Sequence, residues 1–398
     1  MTASGTHGRA IVARLLRRFR LCLAFAAAPG CSAPAQTDDV SLDHTPSALV
    51  SLPTPEALNT ACEACHTAEA AQWRDSLHRD AFSNEAFQRS FAREPKPFCQ
   101  ACHAPHADPS QAPLTWAAAN GVTCLSCHIE GEAVRAAMTA RSMAPSPHPL
   151  ARSPEFSGAQ ACAGCHEFDF PTSRRHAAGH RMQLTLTEHA RSGYAELGCA
   201  DCHMPAIFDD TGRHRDHRFD VSRNPPLLRA ALSASAERLG PDKLRLALTP
   251  VAVGHALPTG DLFRRLELRV EALDARGERY AGATRYLARH FPARPRTGPA
   301  SRRPDPLEPD DRLTTATGFE MVAPGALAEH TLTWRVTYQR VDHRDVHAPE
   351  RSTLAGEVIL AEGELAAYEP TAYEPSADAP GSPDGVEVVA RGQTQDED

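Results

Sequence analysis

Cys62-Glu63-Ala64-Cys65-His66 is the stretch on which the reading of this chain turns. The same Cys-x-x-Cys-His pattern returns at Cys99/Cys102/His103, Cys124/Cys127/His128, Cys162/Cys165/His166 and Cys199/Cys202/His203. Together these motifs take up all but two of the 12 cysteines. Two thiols three positions apart on one helical turn can form thioethers to the two vinyl groups on one porphyrin edge, and the histidine that follows then lies beneath the iron. The pattern predicts five covalent haem c groups, with the paired cysteines as attachment points and His66, His103, His128, His166 and His203 as proximal ligands. A disulfide framework gives no reason for a histidine after every pair, and a zinc ribbon couples pairs two by two, which five pairs cannot satisfy. A redox dithiol motif normally occurs once.

The spacing of the motifs leaves too little chain between them for an ordinary core. The cofactors must supply the apolar interior, in keeping with an aromatic content of only 6%. Short helices and loops wrapped around haem are expected over residues 57–240.

The sixth ligands decide between two kinds of chemistry. An iron held between two histidines transfers electrons only, whereas an open iron binds and reduces a small substrate. The chain has 20 histidines, enough to close every iron. His78 stands past Trp73 on a stretch that reads as helix, with Trp73, Leu77 and Ala81 on one face. His106 follows the second motif closely, and His148 sits in a Pro- and Ser-rich linker, Met143 to Ser157, that could reach over a haem. His176 and His180 are four apart, so a helix sets them on one face, and His180 is taken as the ligand. His217 and His214 compete for another position, and His255 lies in a loop bracketed by Gly254 and Gly260. A solvated helical face accounts for His189.

Beyond the spacing lies a resemblance. The first motif followed by Trp73, Ser76, His78 and Ala81 is similar to the cytochrome c-552/c-554 type of multihaem domain, and Gly121 to His128 resembles the third-motif pattern of that group. His203-Met204-Pro205 and His217-Arg218-Phe219 fit it as well. Gly254-His255-Ala256-Leu257-Pro258-Thr259-Gly260-Asp261, with Phe263, Arg264 and Arg265, resembles a block that opens a β-rich C-terminal domain in related multihaem cytochromes. The resemblance covers about residues 57 to 275. It implies a distal role for His78 and favours His217 over His214.

After the last motif the pattern changes. Leu227 to Leu239, stopped by Gly240, reads as a helix closing the haem region. Lys243 to Val253, Leu262 to Leu273, Arg279 to Ala288, Leu313 to Val322, Glu329 to Val341 and Ser352 to Leu360 read as strands, several alternating with period two. Asp274-Ala275-Arg276-Gly277 marks a hairpin turn. The expected fold class is therefore mixed: haem-wrapping short helices and loops followed by a β-sandwich over residues 241–366. Arg294 to Asp311 is a Pro-rich loop within it, and residues 367–398 read as a disordered acidic tail.

The N-terminus completes the picture. Arg9, Arg14, Arg17, Arg18 and Arg20 precede the apolar run Leu21 to Ala28, the layout of a secretory signal over residues 1–30. Ala28-Pro29-Gly30-Cys31 resembles a lipoprotein cleavage box, which makes Cys31 a candidate for acylation, against plain cleavage at a nearby alanine; residues 31–56 then form a linker. No other run approaches the roughly 18 apolar residues that cross a bilayer. The net charge of −8 argues against nucleic-acid binding. Arg174, Arg175, Arg181, Arg213, Arg215, Arg218 and Arg223 surround the last two motifs, as partners of haem propionates or as a basic docking face. The expected function is a multihaem cytochrome relaying electrons in the periplasm or cell envelope, where its partner is a redox protein and Cys31 gives a lipid anchor if acylated. The alternative is a multihaem reductase with one five-coordinate haem acting on a small nitrogen or sulfur compound. All five motifs end in histidine, so the lysine-ligated motif of pentahaem nitrite reductases is absent.

Overall fold

The computed structural model describes residues 54–137, 146, 148–170, 181–209, 212–290, 310–343, 345 and 348–369. The signal, the lipid-box cysteine, His180, most of the Pro-rich loop and the tail from residue 370 fall outside the described residues. Tyr368, read as the start of the tail, is docked: its N–H donates to Ala328 O at 2.7 Å.

Short helices carry the first half of the chain. They are α1 (Pro55–Cys65), α2 (Thr67–Arg74), α3 (Glu85–Arg93), α4 (Pro97–His103), α5 (Thr115–Asn120) and α6 (Cys124–His128). Local chemistry sets their starts. Thr54 Oγ1 accepts from Ala57 N ahead of Pro55, and Asn84 Oδ1 accepts from Phe87 N. A small sheet follows, formed by β1 (Ile129–Glu130), β2 (Ala133–Ala137) and β3 (Leu150–Ser153), with β3 parallel to β2. Next come α7 (Pro154–Ser157), α8 (Ala163–His166), β4 (Glu167–Asp169), β5 (Arg181–Leu184), α9 (Thr185–Ala190), α10 (Cys199–His203), the hairpin β6 (Ala206–Asp209) and β7 (Gly212–Arg215), and α11 (Pro225–Ala230). Buried apolar side chains are sparse through this half, with Leu58, Trp73, Phe82 and Leu125 among them. That is the shortage a cofactor-filled interior predicts.

The helix expected at Leu227 to Leu239 is a correction. Helix α11 ends at Ala230, and Leu232–Arg238 is a strand, β8. The reason is the neighbour: β8 pairs antiparallel with β9 (Lys243–Pro250), setting Ala234 opposite Leu248 and Ala236 opposite Leu246. Leu232, Ala234 and Ala236 turn inward, and Ser233, Ser235 and Glu237 outward, a period of two that tertiary pairing selects over helix propensity.

The remaining strands are β10 (Arg264–Leu273), β11 (Arg279–Leu287), β12 (Thr317–Val322), β13 (Thr331–His343) and β14 (Thr353–Leu365). They form a four-stranded sheet in the order β11-β10-β13-β14 and a three-stranded sheet in the order β12-β9-β8. Asp274 builds the predicted hairpin turn by accepting from Arg276 N and Glu278 N, and Gly277 takes the left-handed position at φ 78°. Leu244, Leu246 and Leu248 from one sheet and Leu266, Leu268, Val270 and Val336 from the other belong to one buried cluster. Leu268, fully buried, should cost about 3 kcal/mol as Leu268→Ala. Denaturant unfolding followed at Trp334, which lies in the same cluster, measures it.

Side chains tie the two halves together. Arg89 and Ser90 on α3 reach Asp342 on β13, and Arg289 donates to Met182 O at 2.7 Å. Among the described residues no helix is long and apolar enough to cross a membrane.

Candidate haem centres

Each motif occupies a helical turn, as thioether geometry requires. Cys62 and Cys65 end α1, Cys99 and Cys102 lie in α4, and Cys124 and Cys127 in α6. Cys162 directly precedes α8, which holds Cys165, and Cys199 and Cys202 lie in α10. The ten described cysteines are free of disulfides, and among the described residues no group of three or more His, Cys, Asp or Glu converges as a metal site would.

The attachment cysteines are not equally enclosed by the chain. The chain leaves Cys65, Cys127 and Cys202 exposed and covers the other described cysteines in part. At Cys202 the reason is local: α10 is only five residues long, little more than one turn, and Cys199 is the cysteine that it sets against Cys162 of the fourth motif. Cys202, three positions on, keeps its sulfur open on the rim of that turn, where a vinyl group can still reach it.

Four pairs of imidazoles face one another across a fixed gap. Ring centroids are 6.4 Å apart for His66 and His148, 6.3 Å for His78 and His166, 6.3 Å for His128 and His217, and 6.1 Å for His203 and His255. A metal–imidazole bond is about 2 Å long. Adding about 1 Å from each nitrogen to its ring centre puts two axial rings on one iron about 6 Å apart. Direct stacking would bring rings closer, and unrelated histidines have no reason to repeat one value. The residues present fit haem iron between them.

The ring protons agree. Nδ1 of His103, His128, His217 and His255 lies 2.7 to 3.1 Å from the carbonyl oxygens of Ala81, Arg135, Arg215 and Ala256 respectively. A carbonyl only accepts, so Nδ1 carries the proton and the Nε2 lone pair is left for a metal. Burial, together with neighbouring imidazoles, pushes His78 and His203 down to about 4. Burial also lowers His103, His128, His166, His217 and His255. These rings are neutral at pH 7 and need lose no proton to bind iron.

His78 does not sit on a helix, a further correction. Helix α2 ends at Arg74, and Ser76, fully buried, accepts from Arg79 N at 3.1 Å to turn the chain. Trp73 Nε1 donates to Val122 O at 2.8 Å, and Val122 N donates to His78 O at 2.9 Å. The spacing of Trp73, Ser76 and His78 thus describes an anchored turn presenting His78 to His166. Gly121 makes the approach possible: its φ is +52°, and a Cβ there would meet His78 O at 2.6 Å.

His106 goes elsewhere. Its Nε2, the atom an iron would need, lies 2.9 Å from Thr123 Oγ1 and 3.0 Å from Ser126 Oγ. Against His103 the structure sets Phe87, with stacked rings 3.9 Å apart. His214 is engaged by Gln72, whose amide donates to it at 2.9 Å while its Oε1 accepts from His217 N at 3.0 Å. Gln72 was missed from the sequence, and Phe219 entered only as part of the His217-Arg218-Phe219 resemblance. Phe219 packs edge-on to His78 at 4.3 Å and holds φ at +50°, a strained value for a bulky residue that no sequence pattern announces. His189 is no solvated bystander either, since it packs against Gly254 beside His255. Of the clustered arginines, Arg181, Arg215 and Arg218 already pair with Asp169, Asp201 and Asp216.

Comparison with known proteins follows the geometry. Residues 61–129 match the family described as cytochrome c554 and c-prime. Over those residues the chain is similar to a c-type cytochrome family, and three of the sequence's Cys-x-x-Cys-His motifs, the first, second and third, fall within the match. The β-rich C-terminal region lies outside that match. The penta-heme cytochrome c552 from Thermochromatium tepidum shares its fold at a TM-score of 0.56 and 19% identity, over 77% of this chain and 98% of that one. A β-glucuronidase of glycoside hydrolase family 2 aligns over 34% of this chain and 11% of its own, with 8% identity and a TM-score of 0.16, too low to carry an argument. A sequence search of curated proteins finds no match.

Proposed function

We propose that this protein relays electrons through five covalently attached haems, mostly bis-histidine, in the bacterial cell envelope. The observation that carries the reading is the recurrence of facing imidazoles at 6.1 to 6.4 Å in four places. Haem c when bound supplies a one-electron iron couple. The chain supplies the rest: cysteine pairs that fix each porphyrin edge, proximal rings on the motifs, and distal rings from His148, His78, His217 and His255. His180 is proposed for the second motif. The two sheets are taken as a sandwich that closes the haem region and presents His255.

The cysteines suggest an order of attachment sites. The side chains of Cys102 and Cys165, and those of Cys162 and Cys199, are within hydrogen-bonding reach. Cys124 lies near Cys62, and Cys127 near Cys165. The motifs therefore neighbour one another in the sequence first, third, fourth, fifth, with the second joining at the fourth. Export by residues 1–30, an anchor at acylated Cys31 and docking to a redox partner protein complete the proposal.

A pyridine haemochrome assay on protein matured with haem-attachment machinery should find five haems per chain, and near-infrared magnetic circular dichroism should show bis-histidine iron. Fewer than four haems in fully matured protein would sink the reading. Histidine ligation and crowded propionates should place most midpoint potentials below zero against hydrogen. A single sharp, strongly positive wave in redox titration would contradict that.

The reductase reading attaches to the second motif, where Phe87 is the ring lying on His103. Carbon monoxide binding by the reduced wild-type protein would favour it, because only an open iron responds.

A further inference from the structure

The loop bearing His255 is held from outside itself. Glu188 on α9 accepts from Ala256 N at 3.2 Å and from Thr259 Oγ1 at 2.6 Å. Its other oxygen accepts from Arg312 Nη2 at 2.6 Å. Arg312 in turn donates to Pro258 O at 3.2 Å, inside the same loop. The two side chains are 7% and 3% exposed, so this ion pair is sealed from water. Leu257 and Leu313 exchange backbone hydrogen bonds at 2.8 and 3.0 Å beside it. Gly254 presses the loop onto α9, where a Cβ would meet Tyr194 at 3.2 Å and His189 at 3.3 Å.

The Glu188 carboxylate thus directs both oxygens to the His255 loop and to the arginine that grips it. Arg312 also pairs with Asp310, through Nε at 2.8 Å and Nη2 at 2.6 Å, so without Glu188 the arginine keeps a carboxylate while the loop loses the acceptor for Ala256 N and Thr259 Oγ1. The use of Glu188 is geometric. The His255 ring lies within 15° of parallel to His203, and its own hydrogen bond is only to the adjacent Ala256 O.

We propose that Glu188 is a positioning residue for iron ligation: with Arg312 it sets the loop so that His255 Nε2 faces His203 and closes the sixth position at the fifth motif. The inference rests on the proposed His203/His255 pairing. It assigns to α9, a haem-region helix without a motif, control over the coordination of one iron.

The test compares Glu188→Ala, Glu188→Gln and His255→Ala in the full haem-loaded protein. His255→Ala should turn one haem high-spin and let the reduced protein bind one additional carbon monoxide per chain; free imidazole should restore the low-spin spectrum. Glu188→Ala should reproduce both effects, with imidazole rescue showing that a single site has opened rather than the fold. Glu188→Gln keeps the acceptor and loses the charge, so partial carbon monoxide binding is expected, and it decides the matter if the alanine variant does not accumulate. If His255→Ala stays low-spin, the ligation reading fails. If His255→Ala responds while the Glu188 variants behave as wild type, that reading stands and this inference is overturned.

Discussion

With Cys162 and Cys165 both replaced by alanine, the protein is expected to lose one haem and the greater part of its long-range electron transfer. The fourth motif is the meeting point of the arrangement, since Cys165 reaches Cys102 and Cys162 reaches Cys199. Its loss would strand the second and fifth attachment sites from the first and third. It would also leave His78 and His166 facing an empty space, and a cavity far larger than a deleted leucine side chain should cost more than about 5 kcal/mol. The control is Cys62→Ala with Cys65→Ala, which removes a haem at the end of the order. Intact mass should fall by one haem in both. Film voltammetry should show a much larger loss of current for the fourth motif, and equal losses would refute the branch.

Gly121→Ala should dislodge His78. The left-handed backbone costs an alanine about 1 kcal/mol or more, and the added carbon would also collide with His78 O at 2.6 Å and Arg79 O at 2.7 Å. Backbone atoms cannot swing aside as a side-chain tip can, so a total of at least about 2 kcal/mol is expected, with one haem turned high-spin. Gly131 offers the comparison, because it has φ +59° but open space around its Cβ position. Gly131→Ala should carry the conformational cost alone and keep the spectrum unchanged. A low-spin Gly121→Ala protein would show that Val122 does not set His78 in place.

How much of this was legible in the sequence differs by element. The motifs were plain because thioether attachment demands a fixed local pattern that needs no tertiary context. How far the chain encloses each cysteine was not, because exposure at Cys202 depends on which side of a single short turn meets the neighbouring motif. Strands β10 and β11 were readable for the same reason as the motifs, since alternation in Leu266-Glu267-Leu268-Arg269-Val270 is local and the turn at Asp274 is spelled out. The segment Leu232–Arg238 was misread because its conformation depends on pairing with β9. At Trp73, Ser76 and His78 the pattern was right and the structure behind it was not: the residues mark a turn anchored on Val122 rather than a helical face. His148 was legible as a candidate in a linker, but its place opposite His66, next to the parallel pairing of β3 with β2, was not. Glu188 and Gln72 act across long stretches of chain, and no spacing rule announces a partner at that distance.

The facing pairs also cross the chain in a way that bears on assembly. Under the proposed ligation, His78 precedes the motif it serves, whereas the first motif must wait for His148, the third for His217 and the fifth for His255. A polypeptide leaving its translocation channel from the N-terminus would present the first haem long before its sixth ligand has emerged. The third iron would stay exposed until His217 emerged, and the fifth until the loop at His255, beyond the first strands of the β-rich region. Each late histidine therefore acts as a latch, so maturation has a direction, and a chain truncated before residue 255 would be expected to carry its haems yet leave one iron open to stray ligands.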